Sequence, residues 1–203
     1  MGNQDYWDNV YQTKDSDSVS WFQRTPDTSL QIINRYQFPE TTSLIDVGGG
    51  ATTLVDNLAK RDWNDLTVLD VATSALDVAK ARMGPLAANI DWQVADITDW
   101  NPDRTYQVWH DRAVFHFLTT VEQRSAYRRA LEAGVALGGT VIIATFAIDG
   151  PERCSGLLVQ RYDPAALAKE LGHEFKLLEH WQEKHITPAG GVQAFNWCVF
   201  RRV

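Results

Sequence analysis

The sequence predicts an α/β fold: a doubly wound, mostly parallel seven-stranded sheet that ends in a C-terminal antiparallel hairpin. Three observations predict it. From Ser43 to Phe146 short apolar runs alternate with helical segments, and the first of those runs enters three consecutive glycines. The last two runs, 175–184 and 192–202, flank the turn residues Thr187-Pro188-Ala189-Gly190-Gly191 with no helix between them. Alternating strands and helices specify a parallel sheet covered on both faces, whereas runs joined by a turn pair antiparallel.

Taken in order, Tyr6, Trp7, Val10 and Tyr11 sit at helical spacing and predict a short amphipathic helix. Asp15 to Ser20 is a polar loop, and Trp21-Phe22 opens a second helical stretch through Tyr36 that Pro39 stops. Strand 43–47 (SLIDV) leads through the glycines into a helix over Thr52 to Lys60. Strand 66–71 precedes a helix from Ser74, its expected N-cap, to Met83. Strands 90–96 and 106–111 follow, then a helix over Val121 to Ala136, the pair Gly138-Gly139 and strand 140–146. A helix over Pro164 to Leu171 precedes the closing hairpin. We expect residues 1–40 to form a helical lid and 41–203 one compact domain.

Composition narrows the function. At 203 residues the chain is one domain's worth, with a hydrophobic fraction of 44% and a charged fraction of 22%. No run reaches the ~18 apolar residues of a membrane span, and the N-terminus MGNQDYWDNVYQ lacks a signal peptide's basic and apolar regions. Cys154 and Cys198 are the two cysteines, in no metal or redox spacing, so a reducing cytoplasm is expected. The net charge of −7 disfavours a nucleic-acid partner.

The most informative segment is Leu44-Ile45-Asp46-Val47-Gly48-Gly49-Gly50-Ala51-Thr52. A strand entering glycines ahead of a helix lets backbone approach a ligand closely. Thr53 stands where G-x-G-x-x-G needs its third glycine, so the motif alone is weak. Asp70 adds to it, standing 20 residues past Gly50 at the end of the next strand, where a carboxylate can take the ribose hydroxyls of an adenosine. Asp96 closes the third strand. Asp46, just before the glycines, repels a pyrophosphate and suits a cationic ligand such as a sulfonium with an ammonium group.

Asp46-x-Gly48-x-Gly50, Asp70, Asp96-Ile97 and the terminal hairpin resemble the class I S-adenosylmethionine-dependent methyltransferases over roughly residues 40–203. The resemblance implies a Rossmann-like fold with S-adenosylmethionine as cofactor and S-adenosylhomocysteine as product. It implies that Gly48, Gly49 and Gly50 contact the methionyl part, that Asp70 binds the ribose, that Val71 flanks the adenine and that Asp96-Ile97 hold its amino edge. Thr52 departs from the family, many members of which carry glycine there. His110 and Trp21 are further candidates at the methionyl end. Tyr6-Trp7-Asp8-x-x-Tyr11, Trp21-Phe22 and His110-Asp111-Arg112-Ala113 are similar to small methyltransferase-like proteins, some of which methylate protein lysines. Those carry acidic-Lys-Gly where Asp111-Arg112-Ala113 stands, so lysine specificity does not follow.

For chemistry, Asp111 and His116 are the expected catalytic residues, near the end of the fourth strand. Tyr11, Trp21 and Phe22 are expected to close over the cofactor. Cys154, in a loop after the fifth strand, is within reach of an acceptor pocket that Glu183, His185 and Thr187-Pro188 would shape. No metal-ligand spacing links the histidines, no Gly-x-Ser-x-Gly elbow is present, and the Asn/Asp-Pro-Pro-aromatic motif of amino-group nucleic acid methyltransferases is absent after the fourth strand. The expected acceptor is a small molecule or a protein side chain. A nicotinamide-dependent oxidoreductase and a non-catalytic binder of the same cofactor stay open as alternatives.

Overall fold

The structure, a computed structural model, describes residues 3–203. Helices α1 (Asn3–Thr13) and α2 (Asp27–Tyr36) precede β1 (Leu44–Val47), followed by α3 (Leu54–Ala59), β2 (Leu66–Asp70), α4 (Thr73–Met83) and β3 (Ile90–Val94). Then come β4 (Tyr106–Arg112), α5 (Val121–Gly134) and β5 (Val135–Phe146). A short hairpin of β6 (Arg153–Cys154) and β7 (Leu157–Leu158) leads to α6 (Pro164–Leu171), β8 (Phe175–Ile186) and β9 (Val192–Arg202). Seven strands make one sheet in the order β3-β2-β1-β4-β5-β9-β8. The first five run parallel, and β9 lies antiparallel to both β5 and β8. The predicted fold class is the observed one.

Strand alternation divides the core into two layers. Val108, Ile142 and Ala144 pack with Leu30, Ile33, Leu54 and Leu76 on one face. Trp109, Val141 and Ile143 pack with Tyr127, Leu131 and Leu167 on the other. Helix α2 therefore belongs to the core, and within residues 1–40 it is α1 and the 14–25 strap that overlie the sheet edge. Met1 and Gly2 lie outside the described residues.

Several boundaries differ from the sequence expectation, each for a local reason. Residues 21–25 are a strap rather than the start of a helix, because Pro26 biases the residue before it away from helical ψ and α2 begins only at Asp27. The helix after the glycines begins at Leu54, since the Thr52 hydroxyl donates to Asp46 Oδ2 at 3.1 Å instead of entering the helix. Helix α5 ends at Gly134 and Val135 already pairs with Tyr106, so Gly138-Gly139 is an irregularity inside β5. The β6–β7 hairpin was not expected. Its turn residues Ser155 and Gly156 both have positive φ (48° and 81°), the geometry of a two-residue hairpin loop.

Ser74 is not the N-cap of α4. That position is Ala72, which offers no side-chain acceptor. The acceptor comes from α1 instead: Asp8 Oδ1 takes the Ser74 backbone N–H at 2.8 Å and the Ser74 hydroxyl at 2.6 Å. A remote carboxylate thus satisfies an orphan donor and complements the helix dipole. Asp8→Ala is expected to lower stability by about 1 kcal/mol, read from the urea-unfolding midpoint. An unchanged midpoint would show that the cap contributes nothing.

Candidate active site

The site is built around the turn from β1 into α3. Gly48 has φ +67°, a left-handed conformation that favours glycine. All three glycines also stand where no side chain fits. A Cβ would meet Val114 Cγ2 at 2.0 Å from Gly48, Asp46 Oδ2 at 2.5 Å from Gly49 and Asp70 Oδ2 at 2.5 Å from Gly50. The turn is fixed by Gly48 N–H to the Leu69 carbonyl (2.7 Å) and Gly50 N–H to Asp70 Oδ2 (3.0 Å). From α4, Arg82 grips both Asp56 oxygens (2.7 and 2.8 Å) and donates to the carbonyls of Ala51 (3.1 Å) and Thr52 (2.5 Å). Sequence reasoning missed this buttress, because nothing in the spacing links residues 26 positions apart.

A cavity with about 850 Å³ of empty space opens over the C-terminal edge of β2, β1 and β4. That edge is where open α/β sheets take ligands. Asp70, Val71, Asp96 and Ile97 line it, as do Gly48, Thr52 and Trp21. Asp70 is 8% exposed, accepting from Gly50 and from Ala72 N–H (2.8 Å). Each of its oxygens keeps a lone pair for a hydroxyl donor. Desolvation pushes its carboxyl up to about 6, the two backbone bonds opposing and the charges of Asp46 and Asp8 adding to it. Asp96 Oδ1 takes both Thr98 N–H (2.9 Å) and the Thr98 hydroxyl (2.7 Å), a turn that ends β3 before the acid and aims the carboxylate from a loop. These groups fit an adenosine: paired hydroxyls on Asp70, an apolar slot at Val71 and Ile97, and a carboxylate at the amino edge.

A second cavity, with about 470 Å³ of empty space, adjoins the first through Trp21, Gly48, Thr52 and Arg112, and is also lined by Asp46, His110 and Ser29. Asp46 is 1% exposed and accepts from His110 Nδ1 (2.7 Å) and from Thr52. A carboxylate only accepts, so the imidazole carries its proton on Nδ1. Its Nε2 meets the Ser29 hydroxyl at 2.9 Å. Gly49 touches Asp46 from above without lining either cavity.

The two expected catalytic residues stand elsewhere. On β4, His110 and Arg112 share the cavity face and Asp111 points through to the other, as strand alternation requires. There it is 0% exposed, accepting Val114 N–H (2.9 Å), Phe115 N–H (3.2 Å) and the Tyr127 hydroxyl (2.7 Å). Burial pushes its carboxyl up to about 6, the Tyr127 and backbone bonds opposing. His116 is also 0% exposed, in a 3-10 turn (Phe115–Phe117), and lines neither cavity. Its Nδ1 accepts Phe146 N–H at 3.2 Å, leaving the proton on Nε2. Desolvation, with the charge of Arg112 added, pushes the ring down to about 3. Neither is a base for a cavity ligand.

The roof is aromatic. Trp7, Tyr11, Trp21 and Phe117 line the cavity together, with Trp7 edge-on to Phe117 (5.1 Å between centroids) and to Trp21 (5.8 Å). Phe22 lines the second cavity only. The strap is tied by Thr53 Oγ1 to Gln23 O (3.0 Å), Arg112 Nη1 to Trp21 O (2.9 Å) and His185 Nε2 to Ser20 O (2.8 Å). Glu183 accepts from Thr28 (2.8 Å) and Trp197 (2.6 Å), and Thr187 Oγ1 accepts Gly191 N–H (3.0 Å). Glu183, His185 and Thr187 thus brace the strap, α2 and the hairpin turn rather than line the cavity. Cys154 does line it, its thiol pushed up to about 12 by burial despite the nearby Arg112 charge. No group of three or more His, Cys, Asp or Glu able to hold a metal occurs among the described residues.

Residues 44–134 match the model of a methyltransferase-domain family. Among curated proteins no sequence matches. Solved structures share the fold. A SAM-dependent methyltransferase from Anabaena variabilis superposes with a TM-score of 0.78 at 17% identity, covering 100% of this chain and 96% of that one. The N-methyltransferase NodS from Bradyrhizobium japonicum, in complex with S-adenosyl-L-homocysteine, gives 0.71 at 16% identity over 99% of each chain. The 1,6-didemethyltoxoflavin-N1-methyltransferase of Burkholderia thailandensis, with that substrate and S-adenosylhomocysteine bound, gives 0.69 at 14% identity, covering 98% of this chain and 84% of that one.

Raised carboxyl values have a signed consequence. The folded chain holds protons on Asp70 and Asp111 up to about 6, whereas the ordinary value is 3.8. Each acid's contribution to stability is therefore fully present below 3.8 and is lost as pH rises through about 6. Carboxyl-carbon NMR titration is expected to place both midpoints about two units above an exposed aspartate. A midpoint near 4 for either acid would contradict the dry environment assigned to it.

Proposed function

We propose that this chain is a class I S-adenosylmethionine-dependent methyltransferase that moves a methyl group to a nucleophilic atom of a small molecule held beneath the aromatic roof. The observation that carries the reading is the glycine turn packed against Asp46, Asp70 and Val114 at the mouth of one cavity. Asp70 would take the ribose hydroxyls, Val71 and Ile97 the faces of the adenine, and Asp96 its amino group. Gly48 to Gly50, with the Asp46–His110 pair and Trp21, would form the methionyl end. The cofactor supplies a methyl carbon already activated on a sulfonium.

What remains for the protein is to position the acceptor and exclude water. Trp7, Tyr11, Trp21 and Phe117 do both, presenting flat apolar walls over the cavity. With Asp111 on the opposite face and His116 lining neither cavity, neither serves as the base for the transfer, and an acceptor atom with a free electron pair and no proton to lose needs none. Asp111 instead holds the turn after β4.

A small molecule is favoured over a protein side chain by the roofed cavity and by the substrate-bound relative from Burkholderia thailandensis. A nicotinamide dinucleotide is disfavoured by Asp46, whose charge stands where a pyrophosphate would lie. No helix among the described residues is long and apolar enough to cross a membrane, and both cysteines are free and buried. Two unpaired cysteines suit a reducing compartment, and we propose the cytoplasm on that ground.

Calorimetry tests the cofactor. Saturable binding of S-adenosylmethionine and S-adenosylhomocysteine is expected, with none of NADH. Asp70→Ala should weaken both by about tenfold or more. Wild-type affinity should fall as pH drops through about 6, where Asp70 takes up a proton. Transfer is tested with methyl-tritiated cofactor and cell extract, and label is expected in dialysable metabolites. Label confined to polypeptide would move the acceptor to a protein, and cofactor binding with label in neither fraction would make the chain a binding protein.

A further inference from the structure

Arg112 is a cation without a counter-ion. It ends β4 on the face of His110 and lines both cavities. Its Nη1 donates to the Trp21 carbonyl at 2.9 Å, while Nε and Nη2 have no accessible surface and no hydrogen-bond partner. No carboxylate among the described residues forms an ion pair with it. The nearby acids are already engaged, Asp46 by His110 and Thr52, and Glu183 by Thr28 and Trp197. Burial pushes the guanidinium down to about 10, with Glu183, Cys154 and Asp46 opposing, so it is still charged at neutral pH. Buried donors left unmade are costly, and an arriving anion recovers that cost.

We propose that Arg112 binds the acid group, a carboxylate or phosphonate, of the methyl acceptor. This rests on the methyltransferase reading above and deepens it. Direction decides between the acceptor's acid and the cofactor's own carboxylate. The guanidinium carbon stands 4.8 Å from the ring centroid of Phe195 on β9, two strands beyond β4 and away from Asp70 on β2. The charge therefore lies past the glycine turn, on the side of Cys154 and Phe117. Arg112 as a whole is partly exposed and lines both cavities, so in the proposed complex rotation about its terminal bonds would bring the Nε–Nη2 edge to the acid. That edge matches two acid oxygens side by side, a geometry lysine cannot supply. The aromatic walls hold the acceptor's body.

The test uses the full chain saturated with S-adenosylhomocysteine and three probes of one shape: phenylacetate, phenylphosphonate and neutral phenylacetamide. In the wild type both acids are expected to bind about tenfold or more tighter than the amide, and phenylacetate is expected to shift the Nε–H resonance of Arg112. Arg112→Lys and Arg112→Gln, read on protein still saturated with S-adenosylhomocysteine, should abolish the preference. Equal binding of acids and amide by the wild type, or no binding of any, overturns the proposal, and this arm needs no variant to fold. A preference that survives both substitutions overturns it too. So does displacement of S-adenosylhomocysteine from the wild type by phenylacetate, which would assign the guanidinium to the cofactor's own carboxylate. Failure of the wild type to bind S-adenosylhomocysteine would instead overturn the methyltransferase reading itself.

Discussion

Everything at this site depends on three missing side chains. A parallel sheet fans its strand ends apart, yet a nucleoside needs groups from β1, β2 and β4 to converge on one loop. Gly48, Gly49 and Gly50 allow it, each α-carbon pressed against a residue from a different place: Val114 after β4, Asp46 on β1 and Asp70 on β2. The Gly50 N–H then makes the turn a ligand of Asp70. Packing against the turn dries the acid and raises its carboxyl, while the Gly50 N–H bond opposes that rise. Arg82, paired with Asp56, holds the turn from beneath.

Burial decides which polar groups can do chemistry. Asp111 and His116 are the acid and imidazole a sequence reader would choose, and both are spent on backbone N–H groups. Their value is architectural, since the turn after β4 carries Val114 and Phe117 into the cavity wall. Methyl transfer would suit a site so provided, because the sulfonium's sulfur leaves as a neutral thioether that needs no proton and water is the main competitor. Among groups lining the first cavity, Arg112 stands out as the one with donors left unmade.

The fold was legible because its signals are local. Apolar runs, glycines after β1 and the Thr187–Gly191 turn each declare an element without reference to the rest of the chain. Asp70 and Asp96 were legible for the same reason, as acids at strand ends. What was not legible is which face a residue takes and what it meets across the sheet. Alternation along β4 would have placed Asp111 opposite His110 and Arg112, had the register been followed residue by residue. The Ser155-Gly156 pair was a hairpin signal passed over. The cap from Asp8 to α4, and the grip of Arg82 on the glycine turn, join residues 66 and 30 positions apart and leave no trace in spacing.

Those long-range ties give the N-terminal segment its meaning. Asp8 is fastened to the start of α4, directly after Asp70-Val71, and Tyr6 donates to the Ser155 carbonyl beside Cys154. Between them the Trp21 carbonyl rests on Arg112 and the Gln23 carbonyl on Thr53. The roof is therefore anchored on both sides of the glycine turn, beside Asp70-Val71 and beside Cys154. A segment that looks appended in sequence is in this way tied to the same strand ends and helix start that carry the glycine turn and its acids.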